Sequence, residues 1–546
     1  MKKIPWLLFT ILALFSCKND ETATPVNAYV ESMTLNGKSV GVGSTTYDVS
    51  SDSLVVGLRF SSNIKTDQWN PDMLRLSGTS NTEIQLLESA DPQTLNFRIN
   101  NTLSKLTSYK LTLYSGLNLG IKVIDTYSWN FKTQMDTTPK FPLISDNELL
   151  TLVQHRTFNY FWNYGHPVSG LARERLGSAE TVTTGGSGFG LMALLTGIER
   201  GFITRAQGFA RLDTIVNFLS LPSTDKYHGV FPHWMNGTTG KTQAFSTNDD
   251  GADLVETAFL FQGLLTVQAY FKNGDTSEKA LCQKIQTLWE NVEWTWFQQN
   301  GQEKLYWHWS PTKGWVMNMP VSGWNEGLII YVLAASSPTH PISKSVYTNG
   351  WAGNGNIRNG SSYYGITLPL GESRGGPLFF THYSFLGLDP RNLSDTYANY
   401  FAQNQAHARI NQAYCAANPN GNYGYSARCW GLTASDIPNG YTASSPNNDI
   451  GVIAPTAALS SFPYTPVESM AALRYFYYTL GDKIWGTYGF KDAFSLSKDW
   501  YADSYLAIDQ GPIVVMIENY RTGLIWNLFM SNADVQAGLK KLGFTY

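Results

Sequence analysis

The chain has 546 residues, a formal net charge of −3, 15% charged residues and 14% aromatic ones. That length allows two or more domains and a sizeable core. Charged residues fall below the ~25% of an average protein, and a negative net charge with no basic run argues against a nucleic-acid partner. Few charges beside many Tyr, Phe and Trp suit a partner that is neutral, polar and flat-faced, as sugars are.

Residues 1–17 read as a targeting segment. Lys2 and Lys3 precede an apolar stretch, 4–15, too short to span a bilayer stably, and Leu14-Phe15-Ser16-Cys17 resembles a bacterial lipobox. The expectation is a lipoprotein signal peptide, with Cys17 lipidated and anchoring an exported protein to the outer membrane. Asn19-Asp20-Glu21 resembles the surface-export tag of Bacteroidetes lipoproteins. Residues 18–26 are small and polar and read as a tether.

From 27 to 134 the apolar period is two. Segments 54–60, 95–99, 109–114 and 127–131 alternate, separated by Ser, Asn, Gly and Asp clusters, the pattern of a small all-β immunoglobulin-like sandwich. Nothing in it reads as catalytic, and a spacer is the expected role, with sugar binding as the alternative. Residues 135–145 form a Pro-containing linker. Beyond it the period moves towards four, predicting helices over 146–164, 188–200, 205–219, 252–271, 277–297, 325–335, 394–418, 467–480, 512–530 and 533–542. Several are apolar nearly all round, so 146–546 reads as one all-α domain of two concentric helix layers, with the connecting loops gathered at one rim.

The acids stand out against this background. If helical, Asp249, Asp253 and Glu256 lie at i, i+4 and i+7 on one stripe, and no base occurs between Lys241 and Lys272. Crowded carboxylates on an apolar helix acquire raised pKa values suited to acid/base work. The alternative for Asp249 and Asp250 is macrodipole stabilisation of a helix start. Glu326 falls in the first turn of a helix that Asn325 would cap, after a loop crowded with Trp307, Trp309, Trp315 and Trp324, whose faces can stack on sugar rings. Arg173, Glu174 and Arg175 either hydrogen-bond sugar hydroxyls or pair among themselves. The glycine run 185–190 lacks a P-loop Lys and suggests close backbone approach to a ligand or a helix. Asp509 stands just ahead of a helix opened by Pro512, with Tyr520 further along. His233, beside Trp234, reads as a surface histidine without a partner, and both are carried as substrate-binding candidates. Cys415 and Cys429 enclose a loop whose closure by a disulfide would stabilise by ~3 kcal/mol, Cys282 reads as a buried free thiol, and no Cys/His set has zinc-site spacing. No metal or cofactor is implied, although a Ca²⁺ site from Asp249 and Asp250 stays open.

Several motifs occur in order: Gly170-Leu171-Ala172-Arg173-Glu174-Arg175, Thr183-Thr184-Gly185-Gly186-Ser187-Gly188-Phe189-Gly190, Asp253-Leu254-Val255-Glu256-Thr257-Ala258, Gly323-Trp324-Asn325-Glu326 and Ile508-Asp509-Gln510-Gly511-Pro512. Over roughly 145–546 the chain thereby resembles the glucoamylase-like family of bacterial glycoside hydrolases. The resemblance implies an (α/α)6 toroid and activity on β-1,2-linked glucans, either endo or releasing sophorose from an end. It carries the family's acidic positions onto Asp253, Glu256 and Glu326, with Asp249 a further acid and Asp509 in a motif without an assigned role. Asp253 and Glu256, one turn apart, rise only ~4.5 Å along a helix, whereas an inverting pair stands roughly 6.5–9.5 Å apart. The expectation is therefore Glu326 as general acid, with a carboxylate across the cleft, from the Asp253/Glu256 stripe or Asp509, activating water. Inversion is expected by analogy with glucoamylases. Substrate contacts are expected from Asp249, Arg173, Glu174, Arg175, His233, Trp234, Trp307, Trp309, Trp324 and Tyr520 of a monomer acting on a neutral glucan. The rival readings are a non-catalytic glycan-binding lipoprotein and a polysaccharide lyase on the same toroid.

Overall fold

The computed structural model describes residues 24–78 and 82–546; the expected signal peptide and lipidated Cys17 lie outside the described residues. The chain divides into two units between Asp136 and Thr137.

The first unit is made of strands whose alternation separates inside from outside. Along Leu54–Phe60, Leu54, Val56, Leu58 and Phe60 are buried while Arg59 is exposed. This strand pairs antiparallel with Val30–Leu35 and Thr94–Ile99, and Lys38–Val40 and Ile84–Leu87 complete a sheet of five. Thr45–Val49, Tyr127–Thr133, Ser108–Leu113 and Leu74–Leu76 form a sheet of four. Leu111, Leu113, Trp129 and Phe131 from this second sheet share one core with Val56, Leu58, Phe60 and Phe97 from the first.

The second unit is helical, and its helices start where local chemistry tells them to. Asp146–Asn163, Arg205–Ser220 and Thr276–Glu290 each open on a capping box, formed by Ser145 with Glu148, Thr204 with Gln207, and Asp275 with Glu278. These helices keep an exposed face. Thr184–Glu199, Leu254–Phe271, Leu328–Ser336 and the first three turns of Ala507–Arg521 are instead buried nearly all round. Leu254–Phe271 is long and apolar enough to cross a membrane, but 89% of that window is buried within the protein, so it is a core helix.

Glycine lets two of these inner helices meet. A Cβ on Gly188 would stand 2.2 Å from the Phe259 carbonyl oxygen, and one on Gly263 would stand 2.3 Å from the Gly188 carbonyl oxygen. The glycine run therefore serves a helix crossing. It also lies inside the helix, which starts at Thr184 and not at 188, because the contact outweighs glycine's low helix propensity.

Other boundaries moved for identifiable reasons. The helix expected over 512–530 is two, Ala507–Arg521 and Leu524–Met530, broken at Gly523 with φ +70°. The one expected over 277–297 ends at Glu290 and is followed by a short 3₁₀ turn, Trp294–Gln298. The expected Cys415–Cys429 disulfide is absent: both are buried free thiols. Their loop is tied instead by Asp449, whose carboxylate accepts hydrogen bonds from Asn422 (2.8 Å), Tyr425 (2.9 Å), Tyr414 (3.0 Å) and Asn420 (3.1 Å). Cys282 is only partly buried.

Gly188→Ala should cost ~2 kcal/mol or more in denaturant unfolding, because its Cβ meets backbone that cannot yield. Gly201→Ala, at φ +70° with open space around it, should cost only about 1 kcal/mol.

Candidate active site

A cavity of about 450 Å³ opens among the inner helices and the loops that precede them. Glu256 and Phe259 come from the Leu254–Phe271 helix, Glu326 and Trp307 from loops, and Tyr383, Tyr441, Glu174 and Arg175 close the remaining sides with His233, Trp234 and Phe245.

The expected acidic stripe is not helical. Asp253 is the N-cap of Leu254–Phe271, in extended conformation, and its Oδ1 accepts from the backbone N–H groups of Val255 (3.0 Å) and Glu256 (2.9 Å). Ala252–Asp253 pairs as a short strand with His308–Trp309. The helix does not begin earlier because pairing with His308–Trp309 holds the chain extended, at an approach so close that a Cβ on Gly251 would stand 2.4 Å from the Trp309 carbonyl oxygen. Asp249 and Asp253 are both buried, and neither is among the residues that line the cavity. Asp250 Oδ2 accepts from Lys313 (3.4 Å) and Thr312 (3.3 Å).

Asp249, Asp253, His233 and His308 converge. His233 Nδ1 lies 2.8 Å from Asp253 Oδ2 and 4.0 Å from Asp249 Oδ2, while His308 Nε2 lies 3.3 Å from Asp249 Oδ2 and 3.7 Å from Asp253 Oδ2. Burial opposes a charge on His233, but Glu256, Asp253 and Asp249 together raise its pKa to about 9. Burial likewise opposes ionisation of Asp253, yet the hydrogen bond and charge of His233, with His308 behind, hold it below its ordinary value. His233 is thus no partnerless surface histidine.

Glu256 is placed by the helix crossing. Its Oε2 accepts from the Gly185 N–H at 2.7 Å, an approach possible because a Cβ on Gly185 would fall 2.5 Å from that oxygen. Burial, with Asp253, raises its pKa against the opposing pull of His233 and Gly185.

Glu326 lies two residues before the first helical residue, Leu328, and not in the first turn. Asn325 Oδ1 accepts from the Gly327 N–H at 2.8 Å, and the Ser384 hydroxyl donates to the Glu326 carbonyl. Its carboxyl, 8% exposed, faces the cavity. Burial lifts its pKa to about 7, with Glu256 and Asp253 adding to the rise and its own backbone N–H opposing it.

Another set of acids stands in the wall beside Arg175, whose guanidinium binds Glu174 (2.9 Å) and Asp436 (3.0 Å). The Asp436 N–H donates to Asp492 Oδ2 at 2.7 Å. Asp509, in the first turn of Ala507–Arg521, is buried with no N–H or O–H donor to either oxygen; its neighbour is the Asp492 carboxyl. Two carboxyls in contact hydrogen-bond only if one keeps a proton, and burial with mutual repulsion raises the pKa of both. The charge of Asp509 reaches the buried, unpartnered hydroxyl of Tyr383 on the cavity surface.

The remaining candidates divide. Trp234 and Trp307 line the cavity. Trp309 packs edge-on to His228 and Trp296, and Trp324 is buried against Phe385 and Tyr400, so neither is placed for stacking in the cavity. Arg173 spends its guanidinium on the carbonyls of Tyr164 (2.9 Å) and Ala179 (3.0 Å), bracing a loop. Tyr520, 43% exposed, lines a different groove beside Pro466. Sequence reasoning missed His308, Phe245, Tyr383, Tyr441, Asp436 and Asp492. His308, between two tryptophans, and Asp492, an acid in a Gly- and Phe-rich stretch, were the available signals; the aromatics carried none.

The family described as "Putative glucoamylase" matches residues 318–533. The exo beta-1,2-glucooligosaccharide sophorohydrolase (non-reducing end) of Parabacteroides distasonis is 48% identical over 432 residues, 75% of this chain and 60% of that protein, so the chain spans about 60% of that relative's length. A crystal structure from Bacteroides uniformis, under the same description as the family, is 60% identical over 74% of this chain and 99% of that one, with TM-score 0.73. The endo-beta-1,2-glucanase of Chitinophaga pinensis, solved with sophorotriose and glucose, is 53% identical over 74% of this chain and 99% of that one, with TM-score 0.72. With relatives this similar matched over nearly their whole length, the chain belongs to the glucoamylase-like family.

Proposed function

We propose that this protein is a glycoside hydrolase that cleaves β-1,2-glucan with inversion, using Glu326 as general acid and the buried Asp509/Asp492 pair as the carboxylate that activates water. The observation that carries the reading is Glu326: a carboxyl on the cavity surface that burial and neighbouring acids hold protonated near neutral pH, as a proton donor to a glycosidic oxygen must be. Once it has given up its proton, its anion stands near Glu256, which favours reprotonation before the next turnover. Burial and mutual repulsion raise both members of the Asp509/Asp492 pair, which favours acceptance of a proton, and both oxygens of Asp509 lack a hydrogen-bond partner. Glu256 reads instead as a binding group, since its carboxylate is already held by Gly185 and His233. Trp234, Trp307, Phe245 and Tyr441 offer faces for glucose rings, and Glu174, Arg175 and His233 offer partners for hydroxyls. The β-1,2 linkage rests on the named relatives, one exo-acting and one endo-acting.

In the same reading the helical unit is an (α/α)6 toroid, supported by inner helices buried all round and outer helices with one exposed face. The strand unit is an immunoglobulin-like sandwich acting as a spacer. The protein is exported, works as a monomer and is held at the outer membrane through lipid on Cys17.

Incubation with β-1,2-glucan, starch and β-1,3-glucan should release oligosaccharides from the first alone, and release from starch alone would overturn the reading. Glu326→Gln should lower kcat by about 10²–10⁴-fold while retaining oligosaccharide binding; near-normal turnover would remove Glu326 from its role. Because Glu326 acts protonated, kcat/KM should fall as pH rises through about 7. Its folded pKa is raised, so the stability it contributes is complete below the unfolded value and lost as pH rises through the folded one. Glu326→Gln should therefore match wild type in stability at pH 4 and exceed it by up to about 3 kcal/mol at pH 8.

A further inference from the structure

We propose that the Tyr383 hydroxyl is a hydrogen-bond donor to the substrate, gripping one hydroxyl of the glucose unit at the point of cleavage; this rests on the hydrolase reading given above. The observation that carries it is an unpaired polar group in a rigid place. Tyr383 is 6% exposed and lines the cavity, yet its buried hydroxyl meets no hydrogen-bond partner. Buried tyrosine hydroxyls usually find one, and leaving such a group unpaired is destabilising. A phenylalanine at this position would keep the ring contacts without that cost.

The ring is held in place by its neighbours. Its centroid lies 5.1 Å from that of Phe379, 5.2 Å from that of Phe189 and 5.7 Å from that of Phe259, and the Tyr383 carbonyl accepts from Gln262 Nε2 at 3.0 Å. The position is also a junction between the acids that the hydrolase reading uses. Ser384, the next residue, donates its hydroxyl to the Glu326 carbonyl and accepts from the Ile329 N–H at 3.0 Å, which ties this segment to the loop that carries Glu326. Phe189, which packs on the Tyr383 ring, meets the helix that carries Asp509 so closely that a Cβ on Gly511 would stand 2.4 Å from the Phe189 Cβ.

The chemistry of the surroundings selects a sugar hydroxyl as the partner. Burial, followed by the charges of Asp509, Tyr441, Glu326 and Asp492, holds the Tyr383 pKa well above its ordinary value, so the phenol keeps its proton and donates. A donor set among carboxyl groups suits a partner that accepts one hydrogen bond and gives another, and a sugar hydroxyl does both. It would accept from Tyr383 and donate to a carboxylate. Trp307, another lining residue, likewise has a buried indole N–H without a partner, so this surface carries two donors unused within the protein. A site built on such donors discriminates against a ligand that lacks the matching hydroxyl, because the donor then stays buried and unpaired.

Tyr383→Phe removes the donor alone. The full-length variant should unfold at the same Tm as wild type or a higher one, while its kcat/KM on β-1,2-glucan falls about 10–100-fold. With sophorotriose analogues that each lack one hydroxyl, wild type should lose most on the analogue missing the gripped hydroxyl. The variant should lose little more on that analogue than on sophorotriose itself, a coupling that a purely structural role would not produce. A lower Tm in the variant, which would reveal a partner for the hydroxyl inside the protein, would overturn the proposal, as would unchanged kcat/KM. Failure of the wild type itself to hydrolyse β-1,2-glucan would instead strike the hydrolase reading. Calorimetric binding of sophorotriose would then decide the donor, with weaker binding by Tyr383→Phe supporting it and equal binding, or none by wild type, overturning it.

Discussion

The approach of Thr184–Glu199 to Leu254–Phe271 governs much else in the helical unit. Where they cross, glycine on each helix faces backbone of the other at distances that admit no Cβ. One turn from that crossing, Gly185 turns its N–H to Glu256 while its missing side chain leaves room for the carboxylate. The same contact thus packs two apolar helices and aims an acid into the cavity. A helix buried on all sides can present a charge only where a neighbour supplies both a gap and a donor, and Gly185 supplies both.

Around that frame the acids are sorted by their surroundings. Asp253 is ionised because His233, His308 and two backbone N–H groups outweigh its burial. Glu326, buried with only its own backbone N–H to oppose the rise, keeps its proton to about pH 7. Asp509 and Asp492 are driven upward together because each lies in the other's field. The same functional group therefore takes three protonation behaviours within one unit, set by environment and not by residue type.

How far the sequence could be read depended on whether an interaction was local. Period-two alternation marked the strand Leu54–Phe60, and period near four with a Ser145–Glu148 capping box marked Asp146–Asn163, because both are set by neighbours in the chain. Glu326 was visible through its motif and its tryptophan-rich loop. The roles of individual tryptophans were not: Trp307 faces the cavity while Trp324, which looked equivalent, fills core against Phe385 and Tyr400. The acidic stripe failed for a similar reason. A 3.6-residue periodicity was drawn through Asp249 and Asp253, but pairing with His308–Trp309, more than fifty positions away, kept that stretch extended.

The sequence by itself determined the change from strands to helices, most helix starts, the family, and Glu326 and Asp509 among the acids around which catalysis is proposed, since these reside in composition, spacing and short motifs. Tertiary structure alone decided which acids reach the cavity, which are screened by histidine, and which share a proton. The physical reason is that pKa and orientation depend on groups brought within a few ångströms by folding. Glu256 owes its place to Gly185, Asp253 to His233 and His308, and Asp509 to Asp492, none of them a neighbour in the chain.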